Sequence, residues 1–382
     1  MKIETLSILL LFLTGGCSTD ETVMNKEEEP IEMAPENISF YYGADLSYVN
    51  EMEDCGAFYK NSNNSVQDPY RIFREAGTNL VRLRLWHTPD WTSYSNYDDV
   101  KKSIFRAKGE GMQVLLNFHY SDTWADPPHQ QIPKAWENHI LDTDILGDLL
   151  YNYTYTILDS LDKEGLMPNM VQIGNEINTM ILRDSLSQME MDWSRNAFLL
   201  NQGIKAVRDI SRETKRDIGI MLHIAQPENA IWWFEQATRN GLTDFDWIGL
   251  SYYPAWSDYT LDNLSSALTS LMTKYNKKLM VVETAYPFTL ENADGANNIQ
   301  GENALLPNYP PTQQGQLDYL NTLKDILETS GAQGLVYWEP AWVSTNCNTL
   351  WGQGSHWDNA TLFDHDSRPT LGIQFYNPSI TE

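Results

Sequence analysis

From Phe40 onward the chain repeats one pattern: a short apolar run followed by a longer stretch with helical spacing. The runs are Phe40–Leu46, Leu80–Trp86, Gln113–His119, Met170–Glu176, Ile218–His223, Trp247–Tyr253, Lys278–Glu283 and Gly334–Trp338. Amphipathic stretches fall between them, among them 98–109, 145–164, 195–213, 261–276 and 313–330. Pro69 and Pro168 stand where helices start or stop. Strands that are apolar along their length and separated by helices belong to a parallel sheet buried on both faces. Eight such units in roughly 340 residues predict an α/β fold, a (β/α)8 TIM barrel with long βα loops. A doubly wound open sheet is the alternative. No G-x-G-x-x-G follows the first run and no P-loop is present, which disfavours its nucleotide-binding versions.

The first 36 residues stand apart from this pattern. Lys2 precedes the apolar run Leu6–Leu13, which is too short to span a bilayer. Thr14-Gly15-Gly16 then leads directly to Cys17. This resembles a bacterial lipoprotein signal with Cys17 as the lipidated residue, although Thr14 stands where such signals prefer Leu. A plain secretory signal is the alternative. Ser18-Thr19-Asp20-Glu21 looks like the acidic stretch that directs some lipoproteins outward. The expectation is an outer-membrane lipoprotein at the cell surface. Residues 1–16 would be the signal peptide, 17–36 a flexible acidic tether, and 37–382 a single catalytic domain.

Charge narrows the partners. The chain carries 26 Lys+Arg against 52 Asp+Glu, a formal net charge of −26. The tether accounts for −6 of this through Asp20, Glu21, Glu27, Glu28, Glu29, Glu32 and Glu36 against Lys26. Such a balance excludes nucleic-acid binding by phosphate neutralisation and electrostatic binding to anionic lipid. Membrane contact would come only through a lipid anchor. The 13 Trp and 20 Tyr suit a protein that meets ligands with apolar faces, such as sugars, or one with an aromatic core.

In a barrel the active residues sit at the C-terminal ends of strands. Here those ends carry Asp45, Arg82, Arg84, Trp86, His119, Tyr120, Asn175, Glu176, His223, Tyr252, Tyr253, Glu283, Trp338 and Glu339. Glu176 and Glu283 each close an apolar strand, the fourth and the seventh. A carboxylate pair about 5–5.5 Å apart supports glycoside hydrolysis with retention, one group as nucleophile and the other as acid and then base. Either Glu alone could instead cap a helix or pair with Arg84.

Several blocks resemble a known family. Gly174-Asn175-Glu176 and Glu283 look like the clan A glycoside hydrolases. Asn117-Phe-His-Tyr-Ser-Asp-Thr-Trp-Ala-Asp-Pro-Pro-His-Gln130, with Pro133 and Ala135-Trp136, is similar to family 53, the endo-β-1,4-galactanases. Gly43–Ser47, Val81–Trp86, Gly174–Asn178 and Tyr337–Trp342 agree in the same order, so the resemblance covers residues 38–376. It implies Glu176 as acid/base, Glu283 as nucleophile, and Asn175 on the sugar 2-hydroxyl. It places Arg84 beside Glu283, with Arg82 as the alternative, and His119 and Tyr253 in the same subsite with Trp338 as its floor. Asp45, Trp86, Trp124, Trp256, Trp342 and Trp351 are further candidates for sugar contact. The implied substrate is a neutral polysaccharide, β-1,4-galactan of type I arabinogalactan, and the protein is expected to be a monomer. Another clan A endo-glycanase, a mannanase or glucanase, and a non-catalytic glycan-binding lipoprotein are the competing readings.

No cofactor is expected for the chemistry. The loop Asn292-Ala-Asp-Gly-Ala-Asn-Asn298 offers alternating oxygens around a Gly, which suits Ca²⁺. The resemblance extends the set to Asn292, Asp294, Asn298, Ser355 and Asp358, with Ala296 and Asn292 departing from the family pattern. If Cys17 is lipidated, Cys55 and Cys347 remain. They follow the first and eighth strands, which adjoin in a closed barrel, so they are candidates for a disulfide.

Overall fold

The computed structural model describes residues 38–184, 191–350 and 352–377. The expectations for the signal segment 1–16, for Cys17 and the tether 17–36, and for Trp351 lie outside the described residues. From Ser39 on, the chain forms one compact unit.

Eight strands close a barrel: β1 (Tyr41–Asp45), β2 (Leu80–Leu85), β3 (Gln113–Phe118), β4 (Met170–Ile173), β5 (Gly219–Ala225), β6 (Trp247–Ser251), β7 (Lys278–Glu283) and β8 (Gly334–Tyr337). Each pairs in parallel with the next, and β8 returns to β1 through Tyr41 opposite Gly334 to Ala44 opposite Tyr337. Around the barrel lie α1 (Val49–Asp54), α2 (Pro69–Ala76), α3 (Tyr97–Gly109), α4 (Thr143–Lys163), α5 (Trp193–Thr214), α6 (Pro227–Arg239), α7 (Leu261–Tyr275) and α8 (Gln313–Ser330). Their starts are chemically marked. Asp68, Asn96, Asp142, Asp192 and Thr312 each accept a backbone N–H of the first turn, satisfying a donor the helix itself cannot.

Alternation along the strands divides the barrel interior into levels. At its base Leu80, Leu115, Met170, Met221, Trp247, Met280, Val282 and Val336 form a sealed apolar plug. Two residues further along four of these strands the inward positions turn polar: Arg82, Asn117, Gln172 and His223, all buried. A Cβ on Gly249 would meet Met221 Sδ at 2.7 Å, so only Gly lets the β6 backbone approach the plug there. The outward side chains pack with the helices in a second, larger core. The stiff plug thus supports a polar layer that opens upward into the βα loops.

Candidate active site

Both strand-end glutamates reach this opening by a local departure from regular strand. β4 stops at Ile173, three residues short of the apolar run, because Gly174 turns the chain at φ +81°. Glu176 follows at φ 44°, a left-handed conformation that costs a non-glycine residue energy and is found where surroundings impose it. Glu283 ends β7, where the pairing with β6 slips by one residue between Leu250 and Ser251 and sets Ser251 opposite Glu283. Such a bulge re-aims side chains. Glu176, Glu283 and His223 each bring one polar side-chain atom within 4.8 Å of the others. Carboxyl oxygens this close suit the retaining arrangement.

The two carboxyls are electrostatically unlike. Arg82 donates from Nη1 to Glu283 Oε1 at 2.8 Å and to Asp45 Oδ2 at 2.8 Å. Its Nη2 reaches Asn175 Oδ1 at 2.7 Å and its Nε reaches Gln172 Oε1 at 3.2 Å. Burial raises the Glu283 carboxyl, and the Arg82 cation opposes that rise. Among the described residues no cation pairs with Glu176; burial, then the charge of Glu283, push it up to about 8. Glu176 therefore holds a proton near neutral pH.

The arginine beside Glu283 is Arg82, not the expected Arg84. Register explains this: Arg82 pairs with Asp45 across β1 and β2, at the level of the polar layer. Arg84 stands two residues higher. There it meets Glu339 at 3.4 Å and lies over the rings of Trp124 (4.2 Å), Trp86 (4.6 Å) and Tyr48 (4.7 Å). Asp45, expected to touch substrate, lines the cleft, holds Arg82 from one side and accepts Ser47 Oγ at 2.5 Å from the other.

Asn175 is locked in orientation. Its Oδ1 accepts from Arg82 and from Asn117 Nδ2 at 2.9 Å, while its Nδ2 donates to Ala125 O at 2.8 Å. The remaining Nδ2 hydrogen is the one available to a ligand. His119 is neutral, because burial and the cations Arg84 and Arg82 depress it well below the usual imidazole range. Its Nδ1 accepts the backbone N–H of Ala125 at 3.2 Å.

Above these groups lies a cleft of about 880 Å³ lined by Trp124, Tyr253, Trp256, Trp338, Trp342 and Trp357, with both glutamates in its wall. Trp338 stands at 90° to Trp357, ring centroids 4.7 Å apart. Trp342 is nearly buried, stacked at 4.1 Å on Tyr48, and still lines the cleft. Trp86 does not line the cleft: it is 2% exposed and packs on Arg84, correcting its expected sugar contact. Trp357, Ser251 and Gln172 were not expected at the site. Only the inward alternation of Gln172 with Met170 signals its place in advance.

His223 does not end its strand, since β5 runs on to Ala225. Its Nε2 faces Ser251 Oγ at 2.9 Å, and its Nδ1 faces Gln172 Nε2 at 3.0 Å and the Glu176 backbone N at 3.3 Å. Burial, Arg82 and His119 keep the ring neutral. The Glu176 backbone N–H already occupies the Nδ1 lone pair, so Nδ1 has none to offer a metal beside the two carboxyls.

The Asx loop also gathers. Ser344 Oγ donates to Asp294 Oδ2 (2.6 Å) or Asp358 Oδ2 (2.7 Å), and Asn298 Nδ2 contacts Asn292 Oδ1 and Asp358 Oδ1. Ser355, expected as a side-chain ligand, gives its hydroxyl to Trp342 O (2.6 Å) and its backbone N–H to Asp294 (2.8 Å). Asn298 Oδ1 is buried with no partner among the described residues. Turning that amide over would join its oxygen to the others, an oxygen-rich set that fits a hard cation. Nearby, Cys55 and Cys347 are disulfide-bonded with Cα atoms 5.6 Å apart, tying the end of α1 to the loop after β8.

A carboxyl that keeps its proton can act as acid while its neighbour, paired with a guanidinium, acts as nucleophile, and aromatic walls suit the C–H faces of sugars. Barrel and site together define a glycoside hydrolase. Known proteins agree. Residues 41–376 match the model of glycosyl hydrolase family 53. An arabinogalactan endo-β-1,4-galactanase of Cellvibrio japonicus is 55% identical over 331 residues, 86% of this chain and 88% of the relative. A GH53 catalytic domain of Ignisphaera aggregans superposes with a TM-score of 0.82 at 31% identity, covering 91% of this chain and 98% of that one. A solved fungal β-1,4-galactanase gives 0.76 at 32% identity, covering 88% and 99%. The chain belongs to glycosyl hydrolase family 53.

Proposed function

We propose that the protein is a retaining endo-hydrolase of β-1,4-galactan, with Glu283 as nucleophile and Glu176 as acid and then base. The observation that carries the roles is the asymmetry of the pair: Arg82 contacts Glu283, while Glu176 is the carboxyl that retains its proton. In the first step a Glu283 oxygen bonds to the anomeric carbon as the glycosidic C–O bond breaks, and the leaving oxygen takes the Glu176 proton. In the second, water attacks that carbon, gives its proton to Glu176 and releases Glu283. Asn175 supplies its remaining amide hydrogen to the sugar 2-hydroxyl. Trp338 forms the floor beneath the sugar, with His119, Tyr253, Trp124 and Trp256 around it. The substrate follows from the family and from the activity named for the Cellvibrio japonicus relative.

A polysaccharide panel tests this. Oligosaccharides are expected from galactan and not from mannan or glucan, and Glu283→Ala is expected to lower the rate by at least about 10³-fold. Release from mannan alone, or full activity of Glu283→Ala, contradicts the reading.

The Asx loop is proposed to hold a structural Ca²⁺ through Asp294, Asp358, Asn292 and Asn298, supplying stability to the loops and no chemistry. A chelator is then expected to lower Tm and calcium to restore it; an unchanged Tm removes the site. Anchoring at the outer cell surface through lipidated Cys17 rests on Thr14-Gly15-Gly16-Cys17. Cys17→Ser should release the protein into the soluble fraction, and retention in the membrane fraction refutes the anchor.

A further inference from the structure

Ser251 is fully buried at the bulge between β6 and β7, and its hydroxyl lies between three groups of the site. It stands 2.5 Å from Glu176 Oε1 and 2.9 Å from His223 Nε2, and it also hydrogen-bonds Glu283. A hydroxyl has one hydrogen to give, so the direction of these contacts decides what it does.

His223 sets that direction. Its Nδ1 receives the Glu176 backbone N–H at 3.3 Å. The two hydrogens of Gln172 Nε2, 3.0 Å from Nδ1, go to Asn117 Oδ1 at 2.8 Å and Gly174 O at 3.0 Å. A hydrogen on Nδ1 would oppose the Glu176 N–H. Asn175 Oδ1, an acceptor 3.1 Å from it, already has its two lone pairs filled by Arg82 at 2.7 Å and Asn117 at 2.9 Å. The neutral ring therefore carries its hydrogen on Nε2 and donates it to Ser251. Ser251 cannot donate back to a protonated nitrogen, and its own hydrogen turns to the glutamates, with Glu176 Oε1 the closer contact.

We propose that Ser251 is a positioning residue, oriented by His223, that fixes which oxygen of Glu176 carries the acid proton. With Oε1 receiving the Ser251 hydrogen, the proton resides on Oε2 and is presented from there to the glycosidic oxygen. When Glu176 has given up its proton, the same hydroxyl stabilises the carboxylate that must next act as base. This rests on the reading of Glu176 as acid/base. It assigns work to two buried side chains, on β5 and β6, that need not touch substrate.

The other charged or titratable groups acting on Glu176 are Glu283 on β7, Asp126 in the loop after β3, Arg82 on β2 and Tyr253 after β6. Ser251→Ala leaves all of them in place. It removes a donor to the ionised form, so Glu176 should hold its proton more tightly. The basic limb of the kcat/KM profile on galactan is expected to move up by about one pH unit, with kcat/KM falling about tenfold to a hundredfold below that limb. Ser251→Thr, which keeps a hydroxyl, should return the limb towards that of the parent enzyme. A folded Ser251→Ala enzyme whose limb coincides with the parent's overturns the proposal.

Neutron diffraction on the unaltered protein is independent of how the variants fold. Deuterium on His223 Nε2, on Ser251 directed at Oε1 and on Glu176 Oε2 is expected; deuterium on His223 Nδ1 or on Glu176 Oε1 overturns it. If instead Glu176→Gln keeps both the parent's rate and its basic limb, the assignment of Glu176 fails, an outcome separate from either result for Ser251.

Discussion

Arg82 holds Asp45 and Glu283 on one guanidinium in the most enclosed part of the site. A buried pair broken on one side leaves an uncompensated charge. Arg82→Ala strands two carboxylates at once, so a loss of about 3–5 kcal/mol in unfolding free energy is expected in urea, together with nearly complete loss of activity. Arg84→Ala is expected to leave the Glu283 ion pair intact, and its kcat/KM should fall far less. Equal losses for the two variants would show that the wrong arginine has been paired with the nucleophile.

A second prediction concerns Glu176. The unfolded chain releases this proton near 4.5 and the folded one near 8, so between those values the native state binds more protons than the unfolded state. The contribution of this group is stabilising below about pH 4.5 and is lost as pH rises through 8. Urea unfolding at several pH values should show Glu176→Gln losing part of the decline seen in the parent. Parallel curves would contradict the raised pKa of Glu176.

The identities of Glu176, Glu283 and Asn175 were legible from the residues that end two apolar runs. The choice between Arg82 and Arg84 was not. Alternation puts both on one strand face, but only the register with β1 shows which stands level with Asp45. Ser251 escaped notice because a small hydroxyl at the end of a buried strand looks like any other core residue. The bulge that aims it is a property of two strands together.

At the scale of elements, β7 matches its apolar run at both ends, and β2 and β3 each fall one residue short. The run through Glu176 overshoots because Gly174 can turn where the neighbouring composition suggests strand. Helix α6 keeps its amphipathic period through three successive aromatics, burying Trp233 and Phe234 and leaving Trp232 exposed. Helix α2 is a short helix, marked mainly by the Asp68 cap and Pro69. The loops carry the least periodic signal and most of the aromatic cleft. The Cys55–Cys347 bond restrains one of them across 292 residues of sequence. Chain-entropy arguments give such a cross-link an upper limit of about 6 kcal/mol. The double variant Cys55→Ser/Cys347→Ser should therefore unfold at markedly lower temperature, with KM for galactan rising more than kcat falls because Trp342 lies on the tethered loop. An unchanged Tm would show that the bond adds nothing to the barrel's own packing.

Across the whole molecule, an acidic protein of net charge −26 is proposed to act on a neutral polymer. Charge then offers no long-range steering, and kcat/KM on galactan should change little between about 0.01 and 0.3 M salt. A steep salt dependence would point to a charged substrate. The acids that matter for the chemistry are the two in the barrel mouth, and the anomeric configuration of the first product reports on how they act. Proton NMR of galactan during hydrolysis, recorded before mutarotation, measures it most directly. The proposed mechanism predicts β-configured reducing ends at the first time points, relaxing later to the equilibrium mixture. Reducing ends that form first as the α anomer would contradict a nucleophilic Glu283, and no release from galactan would contradict the substrate.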